Sequence, residues 1–533
     1  MTPPLPSPAT AAIALPIVLP ALVAAVLVLF FRGRRAVQRV VSIGAAAALL
    51  AIAVGLYAVA REGGVAPYYL GHWPAPFGIV LVLDRLSATM LVLTAGLGLA
   101  VALYALGGWD MRGRHFHALL QFQLMGLNGA FLTGDVFNLF VFFEVMLIAS
   151  YGLMLHGGGA RRLTAGLSYV AINLTGSTLF LFAVGLIYAV TGTLNMADLA
   201  DKVATVPPGD VAILRTGGLL LLVVFALKAA LVPLHWWLPG AYGAAPGPVA
   251  ALFMIMTKVG AYSILRVSVL VFGGEAGALA DLAAPFVLPA ALATLVIGAA
   301  GVLASRTLSA LACFAVVWSM GSLLVALGLF DRGGVAAGLY YLVHSTVAGA
   351  ALFLLVDLLG PLRGRAVDRI APTPPLPAAA LLAGLFFAAA IAVTGMPPLS
   401  GFLGKLLILD ATGAAPGAAV VWTVLLATSL VVILGFARAG STVFWKTLPV
   451  RPGGDAGTAA HHRPATPPRL AVAICAALLA ATALLSVFAG PLTAELEATT
   501  AQLFDTAAYR RAVLPARTAA TAAATATDGE VAP

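Results

Sequence analysis

Mostly apolar stretches of membrane-spanning length follow one another along this chain, and no soluble fold can absorb so many of them. A transmembrane helix needs about twenty such residues. Runs of that kind lie at roughly 11–31, 38–60, 84–107, 115–133, 135–156, 162–191, 211–242, 246–272, 280–304, 307–330, 333–360, 376–411, 417–444 and 469–490. Composition agrees. Of 533 residues, 62% are hydrophobic and 9% charged, against about 25% charged in soluble domains. The expected fold class is an all-α polytopic membrane protein of about fourteen transmembrane helices.

Loop charges set the expected orientation. The first apolar run is followed, not preceded, by Arg32, Arg34, Arg35 and Arg39, which makes it a retained helix rather than a cleaved signal peptide. Arg112, Arg114, Arg161, Arg162, Arg306, Arg363, Arg365, Arg369, Lys446, Arg451, Arg463 and Arg469 then all fall on one side of a fourteen-span layout. The excess of basic loops marks the cytoplasmic side, so both termini are expected outside. The stretch from Arg61 to Phe77 is expected to form an outer loop with a small hairpin. Residues 518–533, rich in Ala and Thr, are expected to be disordered.

Two spans are interrupted. One carries Pro233 and Pro239, the other Gly395, Pro397 and Pro398. Counted from the fourth span, each is fourth in a set of five, and an odd number makes the second set run inverted. Matched broken helices in two inverted halves point to a transport site. The expected organisation is residues 1–114 as three leading helices, 115–272 and 280–447 as the two five-helix repeats, and 448–533 as a loop, a last helix and a tail.

Ionisable groups deep in such spans are costly and usually functional. Glu144 lies about ten residues into its run, near mid-membrane at 1.5 Å per residue. Lys228, just before the first break, is its expected partner, and buried ion pairs add too little stability to be kept for that alone. Lys258 lies equally deep with no acid in its own helix, so it can exchange a proton. His344 is a mid-span imidazole able to relay protons. His235 sits in the first break, where it could line a water path. Lys405 follows the second break, toward the outer face. Arg266 and Lys446 fit side chains that snorkel to the interface. A proton path is expected from Glu144 and Lys228 through Lys258 and His344 to an exit near Lys405.

Other chemistries find no support. Cys313 and Cys475 are far apart in apolar runs, and no spacing suits zinc, haem or an iron–sulfur cluster, so no metal, cofactor or catalytic residue is expected. The formal charge of +9 lies in loops between spans, which argues against nucleic acid as a partner. Gly401-Phe-Leu-Gly404-Lys405 lacks the spacing and Ser/Thr of a phosphate-binding loop.

The segments Thr133–Tyr151, Phe225–Pro239 and Gly395–Leu406, with Gly71–Gly78 and Ala501–Leu514, closely resemble the MrpD-like subunit of the Mrp-type multisubunit Na+/H+ antiporters. The wider superfamily includes antiporter-like subunits of respiratory complex I and of membrane-bound hydrogenases. The resemblance implies fourteen helices in two inverted repeats and a functional Glu144–Lys228 pair. It also implies roles for Lys258, His344 and Lys405. Where many relatives carry a charged cluster, this chain has Leu303–Leu311 with Arg306 alone, which leaves the middle of the relay to His344 and water. The implied activity is inward proton flow coupled to Na+ export, by one subunit of a hetero-oligomer in the bacterial inner membrane. The alternative is a pump subunit of a redox complex, with the chemistry in other chains.

Overall fold

Helix ends are set by local chemistry that the sequence carries. The computed structural model describes residues 8–415, 417–448 and 466–514. Arg451, Arg463, His461, His462 and the tail 518–533 lie outside the described residues. Asp84 and Ser87 form a reciprocal capping box ahead of Arg85–Ala105. The Asp135 carboxylate accepts the Asn138 N–H at 2.8 Å and starts Val136–Met154. Thr307 and Asp331 cap Leu308–Leu327 and Arg332–Leu362 in the same way. Each cap satisfies an amide that a helix start leaves without an intrahelical acceptor.

Twelve helices among the described residues are long and apolar enough to cross a membrane. Two expected runs differ from that pattern. Phe116–Leu132 has 17 residues and carries His117, Gln121, Gln123 and Asn128 among its apolar positions. The run 376–411 is divided into Ala379–Thr394 and Ser400–Thr412. The hairpin also forms, with Ala66–Tyr69 antiparallel to Val80–Leu83. The region expected to hold only a tail contains two further helices, Ala489–Leu503 and Thr506–Val513.

The two breaks share one backbone solution. The helix Val211–Lys228 ends with the Leu231 N–H donating to the Ala226 carbonyl at 3.0 Å, and Ala230 takes a positive φ of 53°. Ala379–Thr394 ends with the Met396 N–H donating to the Ile391 carbonyl at 3.0 Å, and Gly395 takes φ 74°. The bonds Val232–Pro233 and Pro397–Pro398 are both cis. Pro239 differs from expectation: it lies in the first turn of Trp237–Ala244 rather than in the break. A helix start tolerates proline because the missing N–H would have had no partner there.

Close helix contact rests on small residues, as it does where lipid removes the hydrophobic drive for association. A Cβ on Gly126 would lie 2.6 Å from the Met146 amide, and one on Gly298 would lie 2.5 Å from that of Trp318. Gly129 faces the ring of Phe142 as Gly301 faces that of Phe314. The centre of the bundle is Gly247–Leu270, whose apolar window is wholly buried, with Leu308–Leu327 and Arg332–Leu362 at 89% and 83%. The helices Arg35–Gly63, Ala160–Thr191 and Arg469–Val487 bury a third or less of theirs and form the periphery.

Candidate functional site: a line of buried ionisable side chains

The ionisable groups sit where the broken helices meet the central ones. Gly260, two residues after Lys258, allows this: a Cβ there would lie 2.5 Å from the Ala229 amide and 2.8 Å from the Phe225 carbonyl. The Lys258 helix therefore lies directly against the end of the Lys228 helix.

Glu144 and Lys228 do not form the expected ion pair; among the described residues no contact within 4.0 Å joins them. The peripheral helix Ala160–Thr191 binds each of them. Ser177 Oγ hydrogen-bonds to Glu144 Oε1. Lys228 Nζ donates to Asn173 Oδ1 at 2.6 Å and lies 5.9 Å from the Phe143 ring. Asn173 and Ser177 are one turn apart on the same face. Acid and base thus occupy adjacent rungs of a third helix, each held by a neutral polar group. Neither residue was singled out from the sequence; the only signal was two amide or hydroxyl side chains at i and i+4 in an apolar run.

Lys258 is fully buried, and among the described residues its Nζ has no hydrogen-bond partner. His344, 1% exposed, accepts or donates through Nδ1 to Ser400 Oγ at 2.8 Å. Its Nε2 lies beside Gly401, where a Cβ would come within 2.8 Å of it. The histidine is therefore seated on the start of the second half-helix. Lys405 Nζ donates to the Thr394 carbonyl at the break and to Ser429 Oγ at 2.9 Å. It also lies 4.0 Å from the Trp318 ring centroid, close enough for a cation–π contact. His235 is half-buried in the first break, with Nδ1 lacking a partner. It makes no hydrogen bond to Lys228, Lys258 or His344 among the described residues.

Arg266 departs from the interface role. It is 4% exposed and grips Asp84 through two bonds of 2.6 and 2.9 Å, with the Tyr262 hydroxyl 3.2 Å away. Its helix is interior to the bundle, and the guanidinium is held by a buried carboxylate instead of reaching outward. Asp110, in the link between two spans, holds a similar structural post. Burial would push its carboxyl up, but hydrogen bonding and charge from Arg39, with His117, keep it below the ordinary value.

A multi-pass helical bundle with interrupted helices and buried ionisable groups at the breaks has the organisation of a secondary transporter. Residues 133–433 match the family described as NADH:quinone oxidoreductase/Mrp antiporter, transmembrane. The chain belongs to that family. It is 42% identical over 467 residues to a protein of Rhizobium meliloti named as a probable D-type subunit of a K+/H+ antiporter, covering 81% of this chain and 87% of that one. Identity to the D-type Na+/H+ antiporter subunit of Bacillus subtilis is 37% over 438 residues, covering 81% and 86%. Among solved structures, a chain of the Mrp complex from a Dietzia species superposes with TM-score 0.84 at 29% identity, over 95% of this chain and 100% of that one. A chain of respiratory complex I from Thermus thermophilus gives 0.73 at 25% identity, over 92% and 99%.

Proposed function

We propose that this chain is the proton-translocating MrpD-like subunit of a hetero-oligomeric monovalent cation/proton antiporter. The observation that carries this is the agreement between relatives named as D-type antiporter subunits and the run of the half-buried Glu144 with the buried Lys228, Lys258, His344 and Lys405. In this reading fourteen spans include Phe116–Leu132 and the divided Ala379–Thr412 segment. The repeated glycine contacts and the two alike breaks support inverted five-helix repeats at 115–272 and 280–447. The three leading helices at 1–114 and the 448–533 segment flank those repeats. Basic loops support a position in the bacterial inner membrane with both termini outside. Inward proton flow drives cation export; the named relatives offer Na+ and K+ as the cation. The chain catalyses no covalent chemistry itself.

The proton moves along the buried groups in order. Glu144 and Lys228 exchange it across the Asn173–Ser177 rungs, Lys258 receives it with no resident anion to hold it, and His344 and Lys405 carry it into the second half. Everted vesicles containing the complete complex test the reading: adding Na+ or K+ should collapse an imposed ΔpH. No response to either cation in an assembled complex would remove it. A redox-pump role is the second reading, favoured by the likeness to the complex I chain. Neighbouring genes for small antiporter subunits would decide against it, and genes for NADH dehydrogenase or hydrogenase would decide for it.

A further inference from the structure

A cavity lies away from the line of buried lysines, at the end of the bundle bearing Arg112, Arg161 and Arg162. It measures about 570 Å³ and has Asp357 and Asp368 among its lining residues. Asp357 is partly open to it and deep in the fold: the Trp109 indole donates to its Oδ2 at 2.7 Å and the Tyr104 hydroxyl at 2.9 Å. Sequence reasoning passed this carboxylate over, and the relay described above does not use it.

The cavity is aligned with the relay by two facing helix stripes. On Gly247–Leu270 the stripe is Gly247, Ala250, Met254 and Lys258, at spacings of three and four residues that keep one face. On Arg332–Leu362 it runs from Asp357 through Phe353 and Gly349 to Ser345, beside His344. Gly247, Ala250 and Phe353 line the large cavity. Met254, Gly349 and Ser345 line a second, separate void of about 10 Å³ that reaches His344. A void of that size is at the limit for one water molecule. On the facing stripes Met254 comes between Ala250 and Lys258, and it packs on Gly349, where an added Cβ would collide with its Cε. Methionine is flexible and unbranched, able to vacate a gap without moving the backbone.

We propose that this cavity is the aqueous mouth through which protons pass between solvent and His344 and Lys258, and that Met254 packed on Gly349 is its gate. Asp357, at the base of the mouth, is the carboxylate nearest that gate on the same helix. The proposal rests on the proton-translocating reading and adds to it a place of access and a closure. The charged side chains Arg112, Arg161, Arg162 and Asp368 in the lining suit a water-filled space. The glycine opposite Met254 leaves room for the sulfur side chain only, so a rotamer change at one residue joins the two spaces.

The test uses two near-isosteric cysteines on either side of the gate, in the full complex with Cys313→Ala and Cys475→Ala. Ser309 lines the large cavity and Ser345 the small void. A membrane-impermeant methanethiosulfonate bearing a sulfonate is applied to right-side-out and everted vesicles. Ser309→Cys should be labelled from one face only, and labelling should cut proton flux at least tenfold. Ser345→Cys should resist labelling with Met254 present and be labelled from the same face once Met254→Ala is added. A Ser309→Cys that stays unlabelled, or that is labelled with proton flux unchanged, overturns the mouth. A Ser345→Cys that stays inert, or is reached only from the other face, in the Met254→Ala variant overturns the gate. Labelling is read without any cation present. A complex that labels and conducts protons as expected, yet exchanges no cation, therefore supports the mouth and removes the antiporter reading instead.

Discussion

At the scale of single residues, the proposed relay depends on groups that take up and release a proton in turn. Glu144→Ala should leave the complex assembled, because Ser177 can turn to a backbone carbonyl, and should reduce cation-driven ΔpH collapse by more than about tenfold, or 1.4 kcal/mol of barrier. Full activity in an assembled variant would exclude Glu144 from the path. Asn173 is subtler. Its amide oxygen accepts from Lys228, so Asn173→Leu should leave the ammonium without that acceptor and slow exchange by about tenfold. Asn173→Ser, which restores an acceptor, should recover part of the rate; equal rates in the two variants would deny the amide a role. Lys258→Arg separates charge from proton transfer, since a guanidinium keeps its proton at any working pH. Initial rates of cation-induced pH change should fall severely across a pH series, and rates within about twofold of wild type would exclude protonation cycling there.

At the scale of elements, the groups work only if helices approach closely and stay registered. Gly260→Val would drive two methyl groups into the Ala229 amide, at a cost of about 1–3 kcal/mol from overpacking. The complex should melt at a lower temperature and lose exchange together, since the same contact sets the Lys228–Lys258 separation. The Asp84–Arg266 pair joins Arg85–Ala105 to the interior helix. Removing one partner of such a pair strands a buried charge and costs about 3–5 kcal/mol. Arg266→Met should therefore be far less stable in detergent melts than Asp84→Asn combined with Arg266→Met. Equal losses would mean that the pair contributes through its packing alone.

At the scale of the molecule, several outer helices present mainly apolar, partly exposed faces. Val211–Lys228 and Ala418–Gly440 expose Ile213, Val223, Leu426, Leu430 and Leu434 among others, which suits lipid or neighbouring subunits equally. The relatives are named as subunits, so the purified chain alone in proteoliposomes should show no cation–proton exchange. Robust exchange by the single chain would refute the need for partners.

The amino-acid sequence by itself determined the class of fold, the positions of the two breaks and the placing of Glu144, Lys228, Lys258, His344 and Lys405 within apolar helices. Those properties are one-dimensional: apolar run length, the lack of an N–H at proline and a rise of 1.5 Å per residue. Which groups touch was decided only by the tertiary structure. Asn173 and Ser177 look like ordinary small polar residues in their own helix, yet they bind the base and the acid expected to pair. Arg266 has the spacing of an interface residue and is instead enclosed, because its helix occupies the centre of the bundle. Asp357 and Met254 acquire meaning only because two helices lay facing stripes against each other with a cavity between them. A buried polar side chain takes its role from the partner that desolvation obliges it to find, and that partner comes from a distant part of the chain.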